Sequence, residues 1–311
     1  MTRLSVIIPC YQSEHTIANV VDEITQTIAT NENYSYEIIL INDCSPDNSY
    51  EEIKRLVELN KHIKAINFSA NFGQHAALMA GFRFASGDII ICLDDDGQTP
   101  ANELFKLVEK VEKDSDLVFA SYKVKKHSFL RNCGSYANDL MAQYLIGKPK
   151  SLYISSYFAC RKFIAKEVSK YKNPYPYISG MLLQTTQNIS NVEVTHRFRE
   201  AGTSGYSFSK LVLLWLNGFT AFSIKPLRIA TISGSLFALF GFLYGGFIIV
   251  QKLVNPAILL GYSSLMSAII FMGGITMLML GMIGEYLGRI YLSINNLPQY
   301  VVKDTLNIEK Q

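Results

Sequence analysis

Three consecutive aspartates end an apolar run in the stretch Ile89–Pro100, IIICLDDDGQTP. Like charges side by side repel each other, so such a cluster costs stability unless something positive lies near it. Side chains alternate along an extended chain, which predicts that Asp94 and Asp96 point to one side and Asp95 to the other. Asp94 and Asp96 are then a D-x-D pair of oxygen ligands that suits Mg²⁺ or Mn²⁺ shared with phosphate. An Asp-rich turn before the helix that follows Pro100 explains the same residues without a metal.

The predicted strands decide which other polar residues join this cluster. Short apolar runs alternate with amphipathic helices in the first half of the chain, which predicts an α/β fold with a mostly parallel, covered sheet. Ligands bind such sheets at the carboxyl ends of the strands, where polar residues 9–14 and 42–49 also fall. Asp43 is placed there to accept a hydrogen bond from a base or ribose. A helix-capping turn with Ser45 and Asp47 is the alternative for Asp43.

Composition and motifs exclude several classes of protein. A net charge of +3 over 311 residues gives no basic footprint for nucleic acid. The five cysteines contain no C-x-x-C pair, which indicates reduced thiols rather than a disulfide framework or a zinc site. Neither the G-x-G-x-x-G motif of a dinucleotide site nor the P-loop motif is present. The pattern that remains is a nucleotide site that binds phosphate through a cation.

The C-terminal third of the chain has the composition of a membrane segment. Residues 205–228 hold an apolar run interrupted by Lys210 and Asn217, which predicts an amphipathic helix in the membrane interface, with a buried core helix as the alternative. Residues 229–250 and 262–284 are uncharged and, as helices, reach about 33 Å, enough to cross a hydrocarbon core of ~30 Å. Lysines and arginines flank their outer ends, so the positive-inside rule places both outer ends in the cytoplasm.

Four segments in this order resemble the inverting family 2 glycosyltransferases of GT-A fold: LSVIIPCYQSEHTI, EIILINDCSPDNS, NFGQHAALMAGF and DIIICLDDDGQTP. The stretch GYSSLMSAIIFMGGITMLMLGMIGEYLGRIYLSINNLPQYVV resembles the bacterial polyprenyl-phosphate glycosyltransferases, relatives of the aminoarabinose-type transferases and of dolichyl-phosphate mannose synthase. The resemblance covers essentially the whole chain. It implies a cytoplasmic GT-A catalytic domain over residues 1–204, then the interfacial helix, a two-helix transmembrane hairpin in the inner membrane and a cytoplasmic tail over residues 285–311.

The resemblance also implies roles for individual residues. Four would surround the nucleotide base and ribose: Pro9, Tyr11, Glu14 and Asp43. Three belong to the segment that faces the donor: Asn71, Gly73 and Gln74. Three would be catalytic, with the two aspartates as metal ligands: Asp94, Asp96 and Gln98. The segment HRFREAGTSGYS matches a family pattern that implies phosphate contacts, for which the candidates are Arg199, Ser204 and, by analogy, Arg131.

The chain departs from the family pattern at three places. Ala70 stands where the family has an arginine, and Gly205 stands where it has a lysine after the motif serine. The remaining cationic candidates for phosphate are Lys210, Arg197 and the basic run at residues 123–127, which is alternatively a solvated loop near anionic lipid. The segment Ser155–Lys162, SSYFACRK, also differs, which indicates an altered sugar or acceptor pocket.

The resemblance implies transfer of a monosaccharide from a nucleotide sugar, with a UDP-sugar favoured, to undecaprenyl or another polyprenyl phosphate, with inversion. A lipid phosphate is already anionic near neutral pH, so it needs positioning rather than a strong general base. Two alternatives are a polysaccharide-elongating synthase and a non-catalytic membrane scaffold, the latter favoured by Ala70 and Gly205. The architecture also allows association into a homo-oligomer through the membrane helices.

Overall fold

The computed structural model describes residues 1–122, 143, 148–174, 176–195, 262–294 and 298–308, together with scattered helical positions between residues 232 and 254. The chain divides into two compact units, Met1–Ser207 with Asn296–Gln311, and Phe208–Asn295. The first unit therefore contains both ends of the chain.

The first unit is built on an eight-stranded sheet within the described residues. Its strands are β1 (Thr2–Cys10), β2 (Tyr34–Asn42), β3 (Ile63–Phe68), β4 (Ile89–Cys92), β5 (Leu117–Tyr122), β6 (Phe158–Arg161), β7 (Ile189–Val194) and β8 (Val302–Leu306). The strand order is β7-β5-β6-β4-β1-β2-β3-β8. The pairs are parallel except where β6 joins β4 and β5 and where β8 joins β3. The predicted α/β class with a mostly parallel sheet is confirmed.

Helices cover both faces of this sheet. They are α1 (Ile17–Ala29), α2 (Ser49–Leu59), α3 (Gln74–Phe84), α4 (Leu104–Lys113), α5 (Lys162–Ser169) and α6 (Ile178–Thr185). Apolar side chains of α1, α2 and α4 pack in one core cluster, and those of α3, α5 and α6 pack in the other. In β1, Val6 and Ile8 lie in the first cluster and Ile7 in the second. Burial on both faces explains why the central strands are apolar without alternation.

The amino ends of the central strands are joined by one buried carboxylate. Glu37 in β2 is 1% exposed and accepts hydrogen bonds from Ser5 Oγ (2.5 Å), from the Ser86 amide (2.7 Å) and from Lys64 Nζ (2.7 Å). Arg3 lies at 3.2 Å from the same carboxylate. Burial by itself raises the pKa of Glu37, but these hydrogen bonds outweigh it and lower the pKa to about 2. The charge of Glu37 is therefore compensated by the protein itself.

The second unit contains the long helix α7 (Tyr262–Ile294). Among the described residues it is the one helix long and apolar enough to cross a membrane, over the window Phe271–Gly288. Its large apolar side chains are exposed, as at Met277 with 72%. Gly234 lies so close to this helix that an added Cβ would come within 2.8 Å of Met279. Close approach of this kind is typical of helix packing in lipid.

Two features of the structure extend the description of this part of the chain. Helix α7 continues past the predicted span at residues 262–284 and ends at Ile294, because hydropathy sets the length of a membrane span and not the end of a helix. Part of the predicted tail, Val302–Leu306, forms β8 and pairs with β3. The predicted interfacial helix at residues 205–228 lies outside the described residues, as does half of the predicted span at residues 229–250.

Candidate active site

Loops that follow four neighbouring strands meet at one edge of the sheet, because β1 pairs with both β2 and β4, and β2 pairs with β3. We name them by their residues: the first loop is 11–16, the second loop 43–48, the third loop 69–73 and the fourth loop 93–100. The first and second loops are joined by hydrogen bonds. The Gln12 amide donates to Ser45 Oγ (3.2 Å), and the Asn48 amide donates to Glu14 Oε2 (2.9 Å). This edge is therefore a bonded assembly rather than a set of independent loops.

Asp94 lies in the fourth loop between two neutral hydrogen-bond donors. Gln74 Nε2 donates to its Oδ1 at 2.8 Å, and Ser156 Oγ donates to its Oδ2. Burial raises the pKa of Asp94, the Ser156 and Gln74 bonds lower it, and the charge of Asp96 raises it further. The net shift is upward, so these neutral donors do not compensate the desolvated charge.

Asp95 and Asp96 are held in different ways. The Tyr11 amide of the first loop donates to Asp95 Oδ2 at 3.0 Å, and burial raises the pKa of Asp95 to about 6. Asp94 instead accepts hydrogen bonds from Gln74 of α3 and from Ser156, which precedes β6. These different partners agree with the prediction that Asp94 and Asp95 point to opposite sides. Asp96 Oδ1 accepts the Gln98 amide at 3.0 Å across a turn in which Gly97 has φ +73°. None of the three aspartates caps the helical turn after Pro100.

Asp43 fixes the approach to α3. Its Oδ1 accepts the Phe72 amide at 2.7 Å and its Oδ2 accepts the Gly73 amide at 2.8 Å. Burial raises the pKa of Asp43 even though both bonds lower it. Gly73 has φ +87° and ψ 160°, a conformation that is essentially restricted to glycine. Asp43 and Gly73 therefore fix the position at which α3 begins. This position brings Gln74 within hydrogen-bond distance of Asp94.

The donor set fits a hard divalent cation. Asp94 and Asp96 supply carboxylate oxygens, and the charge of Asp96 lies close enough to raise the pKa of Asp94, which is an environment that a cation relieves. No group of three or more His, Cys, Asp or Glu side chains able to hold a metal ion occurs in the part of the chain that the structure describes. Asp94 and Asp96 are the two carboxylates that would hold such a cation, and phosphate and water oxygens would complete its coordination, as is common for Mg²⁺.

Comparison with known protein families gives this geometry a context. Residues 5–169 match the family described as Glycosyl transferase family 2, more than half of the chain. The chain belongs to this family. Residues 225–290 match the family described as GtrB C-terminal hairpin. The predicted resemblance and the enzyme class, a glycosyltransferase, are confirmed.

Curated relatives of this family 2 glycosyltransferase match over its full length. It is 31% identical to undecaprenyl-phosphate 4-deoxy-4-formamido-L-arabinose transferase of Yersinia pestis (strain Pestoides F), covering 99% of this chain and 95% of that one. It is 30% identical to the transferase of the same name from Proteus mirabilis (strain HI4320), covering 100% and 96%. It is 29% identical to an uncharacterized glycosyltransferase of Bacillus subtilis (strain 168), covering 99% and 95%.

Solved structures share the fold. Glucosyl-3-phosphoglycerate synthase from Mycobacterium tuberculosis, in complex with Mn²⁺, uridine-diphosphate-glucose and phosphoglyceric acid, matches with a TM-score of 0.53 and 16% identity over 70% of this chain and 78% of that chain. A second structure of that synthase, with Mn²⁺ and uridine-diphosphate-glucose, gives a TM-score of 0.51 at 17% identity, over 70% and 77%. At this identity the likeness shows the GT-A-like fold alone.

The structure brings most of the predicted site residues of this glycosyltransferase to the same edge. Pro9 is buried in β1, two positions past Ile7, the last residue that pairs with β4. The side chain of Tyr11 is 47% exposed, and Asn71 is exposed in the third loop. The three predicted phosphate contacts lie outside the described residues: Arg131, Arg199 and Ser204. The other cationic candidates lie there too: Arg197, Lys210 and the run at residues 123–127.

Sequence reasoning missed two residues at this edge. Ser156 donates to Asp94 from the segment that precedes β6. Tyr122 ends β5, and its pKa is raised to about 12, first by burial and then by the charge of Asp94. The departure of the segment Ser155–Lys162 from the family pattern was the available signal for Ser156. Tyr122 gave no signal, because its apolar neighbours in β5 predict only a strand.

Proposed function

We propose that the protein transfers a monosaccharide from a nucleotide sugar, a UDP-sugar in the first instance, to undecaprenyl or another polyprenyl phosphate at the cytoplasmic face of the inner membrane. The observation that carries the proposal is the cluster of desolvated carboxylates held by neutral donors, in a chain with full-length similarity to undecaprenyl-phosphate sugar transferases. A site that concentrates uncompensated negative charge is suited to a cation and a phosphate-bearing donor.

The donor end of the site is assigned to the fourth loop and the start of α3. Asp94 and Asp96 would hold Mg²⁺ or Mn²⁺, which when bound supplies Lewis-acid neutralisation of the departing nucleoside diphosphate. Gln74 and Ser156 orient the Asp94 carboxylate, since each donates to a different oxygen of it. Asp43 keeps the third loop in place through its two backbone bonds. Pre-orientation of this kind lowers the reorganisation needed when the donor binds.

The acceptor end needs no general base. The lipid phosphate is anionic at neutral pH and attacks the anomeric carbon directly, which inverts its configuration. His75 lies beside Gln74, but burial lowers the pKa of His75 to about 4, so its imidazole is a weak base at neutral pH. Contacts to the acceptor phosphate are assigned to Arg131, Arg199 and Ser204, because arginine binds phosphate through two parallel hydrogen bonds.

The membrane end is assigned to the second unit. Helix α7 and the match to a hairpin family at residues 225–290 support a membrane anchor. We assign residues 229–250 and 262–284 to a transmembrane hairpin, residues 205–228 to the interface, and residues 1–204 and 285–311 to the cytoplasm. The lysines and arginines that flank the hairpin support this orientation.

A product analysis tests the proposal. The full-length protein is reconstituted in nanodiscs with undecaprenyl phosphate and Mn²⁺ and is supplied with a panel of UDP- and GDP-sugars. We expect a lipid-linked monosaccharide from at least one donor, of inverted anomeric configuration. A long polymer would instead identify an elongating synthase. No turnover with any donor, while the curated Yersinia relative is active in the same assay with its own donor, would identify a non-catalytic scaffold.

A further inference from the structure

A line of side-chain hydrogen bonds joins the last strand of the sheet to the candidate site. Asp304 in β8 accepts a hydrogen bond from Asn67 Nδ2 in β3 at 2.7 Å. Asn67 Oδ1 accepts one from Asn42 Nδ2 in β2 at 2.8 Å. Asn42 Oδ1 in turn accepts the backbone amide of Ser45 at 3.3 Å. The line therefore runs across two strands and ends on the second loop.

The carboxylate sets the direction of the whole line. A carboxylate accepts hydrogen bonds and cannot donate them, so Asn67 must turn its NH₂ group towards Asp304. Its oxygen then faces Asn42, whose NH₂ group must turn inward and whose oxygen must face Ser45. Asn42 and Asn67 are 3% and 6% exposed, so an amide flipped against this order would leave buried donors facing each other.

The loop at the end of the line has a conformation that needs support. Cys44, between Asp43 and Ser45, has φ +52°, and Gln12 in the first loop has φ +57°. Non-glycine residues hold such angles only where the surrounding structure imposes them. The Gln12 amide donates to Ser45 Oγ at 3.2 Å. Ser45 therefore connects the line of hydrogen bonds that starts at β8 with both the first and the second loop.

We infer that Asp304 is a positioning residue for the second loop, and that β8, the strand that follows α7 in the chain, completes the donor site. Asp304 acts through Asn67 and Asn42 on the backbone that carries Asp43, and no contact with substrate is assigned to it. The structural part of this inference stands alone, whereas its kinetic consequence rests on the proposed function.

The competing explanation is that Asp304 only fastens β8 to the sheet. Tyr50 in α2 also donates to the Asp304 carboxylate and is hydrogen-bonded to Asn67, so it contacts the line itself. Asn307 fastens the same segment at another point, donating to the carbonyls of Ile63 (3.1 Å) and Val57 (3.4 Å). Asn307→Gly is therefore the matched control that loosens β8 and leaves the line intact, and glycine tolerates the φ of +55° at residue 307.

Amide hydrogen exchange of the full-length protein without ligand tests the structural part. In Asp304→Ala we expect the Ser45 amide to exchange about tenfold faster than in the wild type, because its acceptor Asn42 is no longer oriented. Asn307→Gly should leave that amide as in the wild type, and Asp304→Asn, which can still accept from Asn67, should largely restore the wild-type exchange. Equal exchange at Ser45 in Asp304→Ala and in Asn307→Gly would overturn the inference.

Steady-state transfer kinetics test the consequence for donor binding. In Asp304→Ala we expect the KM for the nucleotide sugar to rise about fivefold, with the KM for the lipid acceptor unchanged. A parallel loss of kcat in Asp304→Ala and Asn307→Gly, with no change in donor KM, would show that Asp304 has only a fastening role. An inactive wild type would contradict the proposed function. The rate of amide hydrogen exchange at Ser45 would then test the positioning role of Asp304 by itself.

Discussion

Glu37 and Asp95 are desolvated carboxylates at opposite ends of the same parallel strands, and their pKa values are shifted in opposite directions. At the amino ends, burial raises the pKa of Glu37, but hydrogen bonds from Lys64, Ser5 and Ser86 outweigh it, and the pKa falls to about 2. At the carboxyl ends, burial dominates, and the Tyr11 amide and other neutral partners leave the pKa of Asp95 at about 6.

Under the proposed function, this difference separates a structural charge from one that binds a ligand. The partners of Glu37 are Lys64 and Arg3, which belong to the chain itself. Asp94 is held by the neutral side chains of Gln74 and Ser156, and it lies near the like charge of Asp96. Leaving such charges uncompensated costs stability in the free protein, and under the proposed function a cation that binds with the donor would return that stability.

The largest expected effect of a single substitution is at Asp96. In Asp96→Asn we expect kcat/KM for transfer to fall by roughly 10³-fold, because the cation loses a charged ligand where negative charge develops on the leaving group. The circular dichroism spectrum should be unchanged. Asp22→Asn, an exposed aspartate of α1, is the matched control and should retain wild-type activity. Activity of Asp96→Asn within a few fold of the wild type would remove the site from the mechanism.

Replacing the compensated carboxylate should affect stability instead. In Glu37→Gln we expect the free energy of unfolding to fall by about 3 kcal/mol, because Lys64 and Arg3 lose the charge that pairs them. Glu51→Gln, which removes an exposed pair with Lys54, should change it by less than about 1 kcal/mol. Denaturant titrations followed by circular dichroism measure both. Equal effects of the two substitutions would contradict the assignment of Glu37 as a buried structural charge.

The two ends of the sheet should respond to acid in opposite directions. The lowered pKa of Glu37 contributes stability above pH 4.5 that is lost as the pH falls towards 2, by about 3 kcal/mol in total. The raised pKa of Asp95 costs stability above pH 6, and this cost disappears as the pH falls from 6 to 3.8. Asp95→Asn should therefore be more stable than the wild type at pH 7, by about 3 kcal/mol at most, and equal to it near pH 4.

Stability curves of the wild type, Asp95→Asn and Glu37→Gln between pH 3 and pH 8 check these signs, since the differences between curves isolate each residue. A difference between the wild type and Asp95→Asn that does not change between pH 4 and pH 7 would contradict the raised pKa of Asp95.

A smaller effect is expected at Gly73. An added Cβ there meets no atom within 4 Å, so Gly73→Ala acts through backbone strain alone, at about 1–3 kcal/mol. Because the Gly73 amide binds Asp43, we expect the strain to appear as a higher KM for the nucleotide sugar. Ser69→Ala, in the same exposed loop, should leave donor KM unchanged. An unchanged KM in Gly73→Ala would indicate that the third loop does not need its present conformation to bind the donor.

The sequence predicted the alternation of strands and helices in the first half of the chain, because the apolar runs are long and the helices between them are amphipathic. The stripe Ile17, Val20, Val21, Ile24 and Ile28 of α1 is buried as periodicity predicts. It did not predict β8, whose five residues VKDTL are half exposed and polar, and whose partner β3 lies far away along the chain. Edge strands of this kind carry too little hydrophobic pattern to be read locally.

The site was predictable in its location and less so in its contacts. Asp43 and Asp94 follow parallel strands, so the topology of the sheet places both at the same edge, whatever hydrogen bonds their side chains make. The bonds from Asp43 to the amides of Phe72 and Gly73 depend on a loop conformation that residue types alone do not specify. The predicted roles of Arg131, Arg199 and Ser204 stay predictions, since these residues lie outside the described part of the chain.

Binding of Mn²⁺ to the full-length protein is the direct test of the proposed cation site, and electron paramagnetic resonance of free Mn²⁺ in the presence and absence of UDP measures it. We expect a Mn²⁺ site whose affinity falls at least about tenfold in Asp94→Asn and in Asp96→Asn and is unchanged in Asp22→Asn. Equal Mn²⁺ affinity in the wild type and both site variants, or transfer at the full rate in excess chelator, would contradict it.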